Sequence, residues 1–296
     1  MTKHQAVTVH PVSDVIGAEI RGVDLASVSD GDFATLYSAW LDHQVVLVRN
    51  QTLDDSNLVA FSRRFGELDI APPNENGQRH ASGFAEVFVV SNVIEKGEAI
   101  GSLGAGEAVW HTDMNYLPAP PMASMLHCLE TPPAGGKTGF MNMYAAYEAL
   151  PDDLRRRVDG LQIKHDSTTN SAGYRRQGAS AVDDITTSPG QLHPIVRYHP
   201  ETGRPALYLG RRLYAWVAGL PVAESDALLD ELWAHAAREE FSWHHSWQPG
   251  DLLIWDNRCT MHRRDPFDPA ARRIMHRTQI RGRKGEPFSG RDRAAA

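Results

Sequence analysis

Short strand-like runs separated by turn residues are the feature that most constrains the fold of this chain. The apolar runs lie at 44–49, 87–93, 121–129, 241–247, 251–255 and 273–280. Helical patterns lie at 30–44, 55–65, 145–158 and 223–238. The combination predicts a mainly β fold with flanking helices, in which a jelly-roll-like sandwich holds a site at its mouth.

The composition is that of an ordinary globular protein and argues against several partners. The 296 residues carry a net charge of −7, and no run of basic residues marks a nucleic-acid surface. Cys128 and Cys259 are far apart and form no C-x-x-C motif, so neither a disulfide framework nor a thiolate zinc site is indicated. No signal peptide or membrane-spanning stretch is recognisable. We therefore expect a cytoplasmic protein that binds neither nucleic acid nor membranes.

The triplet His111-Thr112-Asp113 is the first candidate for a site. Residues two apart in a β-strand point to the same face, so His111 and Asp113 would project together. One imidazole and one carboxylate are two of the three protein ligands in a 2-His-1-carboxylate iron(II) centre. The alternative is a pair of surface residues on a strand, because such a triplet often arises by chance.

His262 and Arg273 are candidates for the rest of this site. If residues 251–262 and 273–280 form an antiparallel hairpin centred on Phe267 and Asp268, the residues at 262 and 273 are direct cross-strand partners, with Cβ atoms roughly 5 Å apart. An arginine beside a metal-binding histidine makes sense when an anion bridges the two. A dicarboxylate such as 2-oxoglutarate could chelate the metal at one end and reach the arginine with the other. Alternatively, His262 packs in the core, and Arg273 pairs with Asp265 or Asp268.

Motifs spread along the chain resemble those of the taurine dioxygenase and 2,4-dichlorophenoxyacetate dioxygenase family of iron(II)- and 2-oxoglutarate-dependent oxygenases. The spacing of His111-x-Asp113, Thr138, His262 and Arg273 is similar to the spacing in that family. Further similar segments are 17–25, 61–66, 135–138, 193–200, 255–258 and 272–277. The resemblance spans about residues 8 to 282.

The resemblance implies a double-stranded β-helix core and a defined set of cofactors. His111, Asp113 and His262 would bind iron(II). Thr138 and Arg273 would hold the distal carboxylate of the cosubstrate 2-oxoglutarate, and O2 would be the second cosubstrate. Family members are commonly homo-oligomers, so a dimer or tetramer is expected.

The resemblance and the composition together divide the chain into two parts. Residues 1–282 are expected to form a single oxygenase domain. Residues 283–296 are rich in Gly, Arg and Ala and are expected to be a disordered tail.

Four positions are expected to contact the substrate. Arg277 lies four residues after Arg273, hence on the same strand face, and the resemblance places it near an acidic group of the substrate; a structural salt bridge is the alternative. Tyr116 is a candidate pocket aromatic. Ala71 and Glu107 stand where the taurine-specific pattern has a histidine and an asparagine, and a carboxylate repels a sulfonate. Taurine is therefore expected to be a poor substrate.

The leading function is hydroxylation of a small anionic organic molecule, with 2-oxoglutarate converted to succinate and CO2. Carboxylates, aryloxy acids, sulfonates and sulfate esters all suit a pocket with an arginine, and the segments 72–86 and 167–190 are expected to choose among them. A non-catalytic sensor of 2-oxoglutarate or metal is the alternative, distinguished by whether substrate addition consumes oxygen. A zinc hydrolase is less well supported, because no general-base carboxylate adjoins a ligand histidine.

Overall fold

The structure is a computed structural model that describes residues 6–73, 83–106, 108–171, 173–176 and 178–283. The α-helices of these residues are α1 Asp30–His43, α2 Asp55–Ser62, α3 Met143–Glu148, α4 Asp152–Val158 and α5 Val222–Ala236. The Ser29 hydroxyl accepts a hydrogen bond from the Asp32 N–H and caps the start of α1. The predicted apolar stripe of α1 buries Leu36 and Trp40.

Strands make up most of the regular structure in the described residues. They are β1 Thr8–Pro11, β2 Ala18–Arg21, β3 Val45–Val48, β4 Phe88–Ser91, β5 Ile94–Glu95, β6 Glu98–Ala99, β7 Ser102–Leu103, β8 Ala108–His111, β9 Ala123–Glu130, β10 Thr138–Asn142, β11 Gln162–Asp166, β12 Gly190–Pro194, β13 Val196–Tyr198, β14 Pro205–Leu207, β15 Trp216–Val217, β16 Ser242–His245, β17 Leu252–Asp256, β18 Thr260–Arg264 and β19 Ile274–Ile280. A 3₁₀ helix, Glu239–Phe241, precedes β16. The prediction of a mainly β fold with flanking helices is confirmed.

Two sheets position the candidate site. The larger has eight strands in the order β1-β2-β3-β17-β9-β19-β4-β7, and the smaller has four in the order β16-β10-β18-β8. One hydrophobic core contains side chains from both, including Leu253 and Met275 from the larger sheet and Phe140 from the smaller. The two sheets therefore pack against each other through this core.

Strand β17 shows how the larger sheet is covered on both sides. Leu253 and Trp255 point into the core shared by the sheets, whereas Leu252 and Ile254 belong to a second core with α1 and α2. This alternation follows from the period of two in a strand. A third core joins α3, α4 and α5 to residues of β10 and β18. The helices thus lie outside the pair of sheets.

The predicted helix over 145–158 is wrong as a single element. The structure has α3 and α4 there, and Pro151 lies between them as the residue that precedes α4. Proline has no N–H to donate and disfavours helical backbone in the preceding residue, so a continuous helix cannot pass through it.

The predicted hairpin that pairs His262 with Arg273 is also wrong. Strand β18 lies in the smaller sheet, where His262 is paired with Phe140 and His111. Strand β19 lies in the larger sheet, between β9 and β4. The intervening segment crosses between the sheets, and Phe267 within it forms a β-bridge with Gly135. Each strand finds its hydrogen-bond partners in a different sheet.

Three observations concern the expectations about membrane spans, cysteines and the C-terminal tail. No helix among the described residues is long and apolar enough to cross a membrane. Cys128 and Cys259 are both buried and carry free thiols. Apart from Arg283, the tail 283–296 lies outside the described residues.

Candidate active site

Two histidines and one aspartate converge at one end of the smaller sheet. His111 and His262 are paired across β8 and β18, and their ring centroids are 4.2 Å apart. The Oδ1 atom of Asp113 lies 3.8 Å from the Nε2 atom of His111 and 3.9 Å from that of His262. All three side chains are buried, and one ligand atom from each lies within 4.8 Å of the others. This spacing suits three ligands of one metal ion.

The reason that Asp113 meets His111 differs from the one predicted. Strand β8 ends at His111, so Asp113 lies in the following turn and not on the same strand face. Ser124 on β9 donates a 2.8 Å hydrogen bond to Asp113 Oδ2. The Thr112 N–H donates to the Gly210 carbonyl. The turn is therefore held by tertiary contacts, which the triplet alone does not encode.

The protonation states of these three groups suit metal binding. Burial, and then the neighbouring His262, lowers the pKa of His111; burial also lowers the pKa of His262. Burial alone would raise the pKa of Asp113, but the charge of Arg277 and the two imidazoles bring it below its ordinary value. At neutral pH the site thus offers two neutral imidazoles and one carboxylate.

The orientation of the His111 ring is fixed by the backbone. Its Nδ1 atom lies 2.7 Å from the Val109 carbonyl oxygen, which can only accept a hydrogen bond. Nδ1 therefore carries the proton, and Nε2 presents its lone pair toward Asp113. A hydrogen bond of this kind on the far nitrogen is typical of metal-binding histidines.

An inner cavity of 60 Å³ lies between the two sheets, beside His111 and His262. It is lined by Val90, Leu103, Ala108, His111, Leu126, Thr138, Ser171, Trp255, His262, Arg263, Arg264, Arg273 and Arg277. His262 and Arg273 thus face one cavity from different sheets, although they are not strand partners. The prediction that His262 and Arg273 lie near one another is therefore correct, but the hairpin predicted to bring them together does not form.

Arg273 is the buried cation of the inner cavity. Only 1% of it is exposed, and its Nε and Nη2 atoms have no hydrogen-bond partner among the described residues. Burial, and then the charge of Arg264, lowers the pKa of Arg273 to about 9, so it stays protonated at neutral pH. Its backbone N–H donates to Asn92 Oδ1. A buried guanidinium with unused donors is a fitting receptor for a carboxylate.

Close packing holds the loop that faces Arg273. Gly135 has φ +75°, and a Cβ atom there would lie 2.8 Å from the Pro266 carbonyl oxygen. Gly136 has φ +63° and lies against the Arg273 guanidinium, with a Cβ position 3.7 Å from Nε. Any larger residue at these two positions would strain the turn and crowd the cavity. Thr138 follows at the start of β10, and its Oγ1 accepts a 2.9 Å hydrogen bond from Trp247 Nε1.

An outer cavity of 260 Å³ lies beside His111 and Asp113. It is lined by Pro72, Pro73, Phe88, Ser102, Leu103, His111, Thr112, Asp113, Met114, Asn115, Tyr116, Asn170, Ser171, Arg175, Arg176, Arg211 and Arg277. Arg277 lines both cavities. Its Nη1 atom lies 3.4 Å from Asp113 Oδ1, and its guanidinium carbon is 4.9 Å from the centroid of the Phe88 ring.

Of the other three predicted substrate residues, one lines the outer cavity. Tyr116 lines the outer cavity beneath the guanidinium of Arg176, 4.6 Å from its ring centroid. Ala71 packs against the core between the sheets, and the following residues 72 and 73 line the cavity in its place. Glu107 lies outside the described residues.

Sequence reasoning missed Arg176, Arg211 and Asn115 as lining residues of the outer cavity. Arg211 belongs to the run Leu209-Gly-Arg-Arg212, whose paired arginines were an available signal. Arg176 lies in the stretch 167–190, which was predicted as a loop that helps to select the substrate, with no residue of it singled out. Residues brought to a cavity by loops leave no periodic pattern in the sequence.

A mainly β fold with two buried imidazoles and a carboxylate beside a cationic cavity is typical of non-heme iron oxygenases. A family model described as "Taurine catabolism dioxygenase TauD, TfdA family" matches residues 8–279. The chain belongs to this family, which confirms the resemblance of its motifs and the prediction of an iron(II)- and 2-oxoglutarate-dependent dioxygenase.

Individual relatives are similar over nearly the whole chain. An (S)-phenoxypropionate/alpha-ketoglutarate-dioxygenase of Sphingobium herbicidovorans is 33% identical over 290 residues, covering 94% of this chain and 96% of the relative. The crystal structure of a taurine dioxygenase from Burkholderia xenovorans matches with a TM-score of 0.78 and 34% identity over 94% of this chain and 90% of that one. The structure of AAD-2 in complex with Mn(II) and N-oxalylglycine matches with a TM-score of 0.76 and 27% identity over 96% and 100%.

Proposed function

We propose that this dioxygenase hydroxylates a small anionic organic substrate, either a carboxylate, an aryloxy acid, a sulfonate or a sulfate ester. It uses iron(II), 2-oxoglutarate and O2, and 2-oxoglutarate becomes succinate and CO2. The observation that carries the proposal is the position of Arg273, a buried cation with unused donors, in the same cavity as His111 and His262. A dicarboxylate that chelates the metal at one end of that cavity can bind the Arg273 guanidinium with its other carboxylate.

We further infer that the two sheets form a double-stranded β-helix, or jelly-roll, core. The hydrophobic core that both sheets share supports this inference, as does the similarity to solved structures of the family. Residues 1–282 then constitute a single oxygenase domain. The predictions of a homo-oligomer and of a cytoplasmic location stay predictions.

His111, Asp113 and His262 are the proposed iron ligands. Two neutral imidazoles and one carboxylate from neighbouring positions suit iron(II) and leave further positions for a bidentate cosubstrate and for O2. When bound, the iron supplies the oxidising chemistry, driven by oxidation of 2-oxoglutarate. Ser124 orients the Asp113 carboxylate through its hydrogen bond to Oδ2, and the Val109 carbonyl orients the His111 ring.

Arg273 and Thr138 are the proposed partners of the distal carboxylate of 2-oxoglutarate. The Nε and Nη2 atoms of Arg273 can donate two parallel hydrogen bonds to a carboxylate. Because Thr138 Oγ1 already accepts from Trp247, its own hydroxyl proton is free to point elsewhere, including toward a carboxylate in the cavity. Burial between the sheets keeps water away from these contacts and strengthens them.

Arg277 is the proposed partner of the acidic group of the substrate. It lines the outer cavity next to Asp113, so an acid bound there would lie close to the iron ligands. Tyr116 offers an aromatic surface in the same cavity. Ala71 packs in the core and lacks a polar side chain, and Glu107 would repel a sulfonate if it faces the cavity. We therefore expect taurine to be used poorly.

Two measurements test this function. The iron(II) protein should develop a metal-to-ligand charge-transfer band when 2-oxoglutarate is added under anaerobic conditions. A panel of aryloxy acids, alkyl sulfates and taurine should then include at least one compound that stimulates oxygen consumption and succinate release. A protein that binds 2-oxoglutarate but consumes no oxygen with any acid would be a sensor instead.

A further inference from the structure

The outer cavity contains more positive charge than one acidic group requires. Besides Arg277, it is lined by Arg175, Arg176 and Arg211, whereas Asp113 is the acidic residue among its described lining residues. None of these three additional arginines forms a salt bridge within the described residues. By contrast Arg212, the next residue, pairs with two carboxylates on α5 outside the cavity.

Arg211 is the buried member of this group. Only 7% of it is exposed, and the hydrogen bonds of its guanidinium go to neutral acceptors: Nη1 to Thr169 Oγ1 at 3.4 Å and Nη2 to the Asp166 carbonyl at 3.1 Å. A buried cation normally has an anionic partner, because two neutral acceptors replace its lost hydration only in part. Arg211 therefore forms no direct salt bridge within the described residues, although the nearby charge of Asp166 favours its protonated form.

The carboxylate of Asp166, whose backbone carbonyl Arg211 contacts, is already engaged. Its carboxylate accepts hydrogen bonds from the hydroxyls of Thr168 and Thr169, at 2.8 and 3.0 Å. Those contacts turn the carboxylate toward the threonines, and the side chain of Arg211 meets the Asp166 backbone instead. The positive charge of Arg211 thus stays available to the cavity.

Arg176 lies beside Arg211 and is held by the same loop. Its Nε atom donates to the Thr169 carbonyl at 3.1 Å, and its guanidinium covers the ring of Tyr116. The charge of Arg176 lowers the pKa of Arg211, second only to burial. Two guanidiniums that repel each other across a cavity are stabilised by an anion placed between them.

The backbone fixes Arg211 next to the candidate iron ligands. The Gly210 carbonyl accepts a hydrogen bond from the N–H of Thr112, which lies between His111 and Asp113. Gly210 has φ +64°, and a Cβ atom there would lie 2.1 Å from Asn115 Nδ2. Only glycine fits at this position without rearrangement of its neighbours. The backbone at Gly210 therefore fixes where the side chain of Arg211 begins.

We propose that the substrate carries two anionic groups, one bound by Arg277 and the second by Arg176 and Arg211. This inference rests on the proposed function, because it names the class of acid that the same cavity accepts. The second group is an oxyanion such as a carboxylate, sulfonate or phosphate, separated from the first by the reacting part of the molecule. A monoanion would leave the buried charge of Arg211 without a partner.

Two acids with one skeleton test the proposal: phenoxyacetate and (4-carboxyphenoxy)acetate. The dianion should have a kcat/KM at least about 10-fold above that of the monoanion, as expected for an additional charge-assisted contact in a shielded site. Arg211→Gln should remove most of this advantage, and Arg176→Gln should reduce it. Arg211→Lys, which keeps the charge without the fork of donors, should restore part of it.

Arg212→Gln is the matched control. It removes the same charge one residue away but outside the cavity, so the preference for the dianion should be unchanged. Thermal unfolding of each variant separates lost binding from lost folding. An equal or lower kcat/KM for the dianion in the parent protein would overturn the proposal, as would an Arg211→Gln variant that lowers kcat/KM for both acids equally.

A binding measurement separates this inference from the proposed function. The protein loaded with Mn(II) and N-oxalylglycine, a non-reacting analogue of 2-oxoglutarate, is titrated with each acid by calorimetry. Tighter binding of the dianion that depends on Arg211, without oxygen consumption, would refute the function and leave the inference standing. Oxygen consumption with monoanions and equal affinity for both acids would refute only the inference.

Discussion

The inner and outer cavities both border on the candidate iron ligands, with His111 lining the two, but they are built in different ways. Strands provide most of the wall of the inner cavity, with Thr138 on β10, His262 on β18 and Leu126 on β9. Loops provide most of the wall of the outer cavity, including residues 72–73, 113–116, 170–171 and 175–176. Strand positions are held by ladders of hydrogen bonds, whereas loop positions tolerate exchange. In the proposed function, the cosubstrate 2-oxoglutarate thus binds between the strands, and the substrate, which differs among relatives, binds among the loops.

The cavities also differ in how their charge is arranged. The inner cavity has Arg273 at one end and the imidazoles at the other, which suits one dicarboxylate. The outer cavity distributes its arginines over strand and loop positions. Arg277 lines both, as do Leu103, His111 and Ser171, so it is the arginine at which the two binding events can influence each other.

Removing Asp113 should have the largest effect, because it is the proposed carboxylate ligand of the metal on which both reactants depend. Asp113→Ala leaves two imidazoles, which hold a divalent metal poorly, so iron content and oxygen consumption should fall to background. His111→Ala and His262→Ala should do the same. Metal analysis and an oxygen electrode measure the two losses.

Asp226→Ala, which removes an exposed carboxylate on α5, is the control and should retain both properties. Circular dichroism should show that the ligand variants stay folded. Stoichiometric iron together with near-normal turnover in any of the three would contradict the assignment of the ligands.

Arg273→Ala tests the inner cavity alone. Loss of a charge-assisted contact to the distal carboxylate should cost about 1.5–3 kcal/mol, or roughly 10- to 100-fold in 2-oxoglutarate affinity. Anaerobic titration of the charge-transfer band measures that affinity. Arg272→Ala is the matched control, since Arg272 is exposed and pairs with Glu130 and Glu95. Unchanged affinity in Arg273→Ala would remove this residue from the cosubstrate site.

Arg277→Ala tests whether the two cavities can be separated. We expect KM for the acid substrate to rise about 10-fold, because one charge-assisted contact is lost, while the 2-oxoglutarate affinity changes less. Steady-state kinetics with each reactant varied in turn measure both effects. Arg281→Ala, which removes an exposed arginine paired with Asp69, serves as the control. A larger effect on 2-oxoglutarate than on the acid would assign Arg277 to the inner cavity.

Trp247→Phe should have the smallest effect and sharpens the description of the inner cavity. The indole N–H donates to Thr138 Oγ1, and its loss leaves the threonine hydroxyl free to turn away from the cosubstrate. The 2-oxoglutarate affinity should fall about 2- to 10-fold, corresponding to 0.5–1.5 kcal/mol for one hydrogen bond.

A double-mutant cycle with Thr138→Val provides the control for Trp247→Phe. If Trp247 acts through the threonine, the substitution should have little further effect once the hydroxyl is gone. Additive losses in the double variant would mean that Trp247 supports the cavity by packing alone.

Local structure followed closely from the sequence where the pattern was periodic. The stripe of α1 and the β-branched run of β3 were both predicted within a few residues of their observed bounds. The error at α3 and α4 came from reading 145–158 as one continuous helix. Pro151, which is visible in the sequence, is a local signal that a helix ends or begins there. The error at β18 and β19 was of another kind: β19 was present as predicted, but the other arm of the hairpin, 251–262, is divided between β17 and β18, and β18 pairs in the smaller sheet.

The sequence by itself determined which residue types are available and roughly where strands and helices form. It indicated His111, Asp113, His262 and Arg273 because imidazole, carboxylate and guanidinium groups have few uses in apolar surroundings. The tertiary structure alone decided how they meet: a turn held from β9 brings in Asp113, and facing sheets bring Arg273 to His262. Side-chain period is local, whereas the choice of a partner strand depends on burial and hydrogen bonding across the whole core.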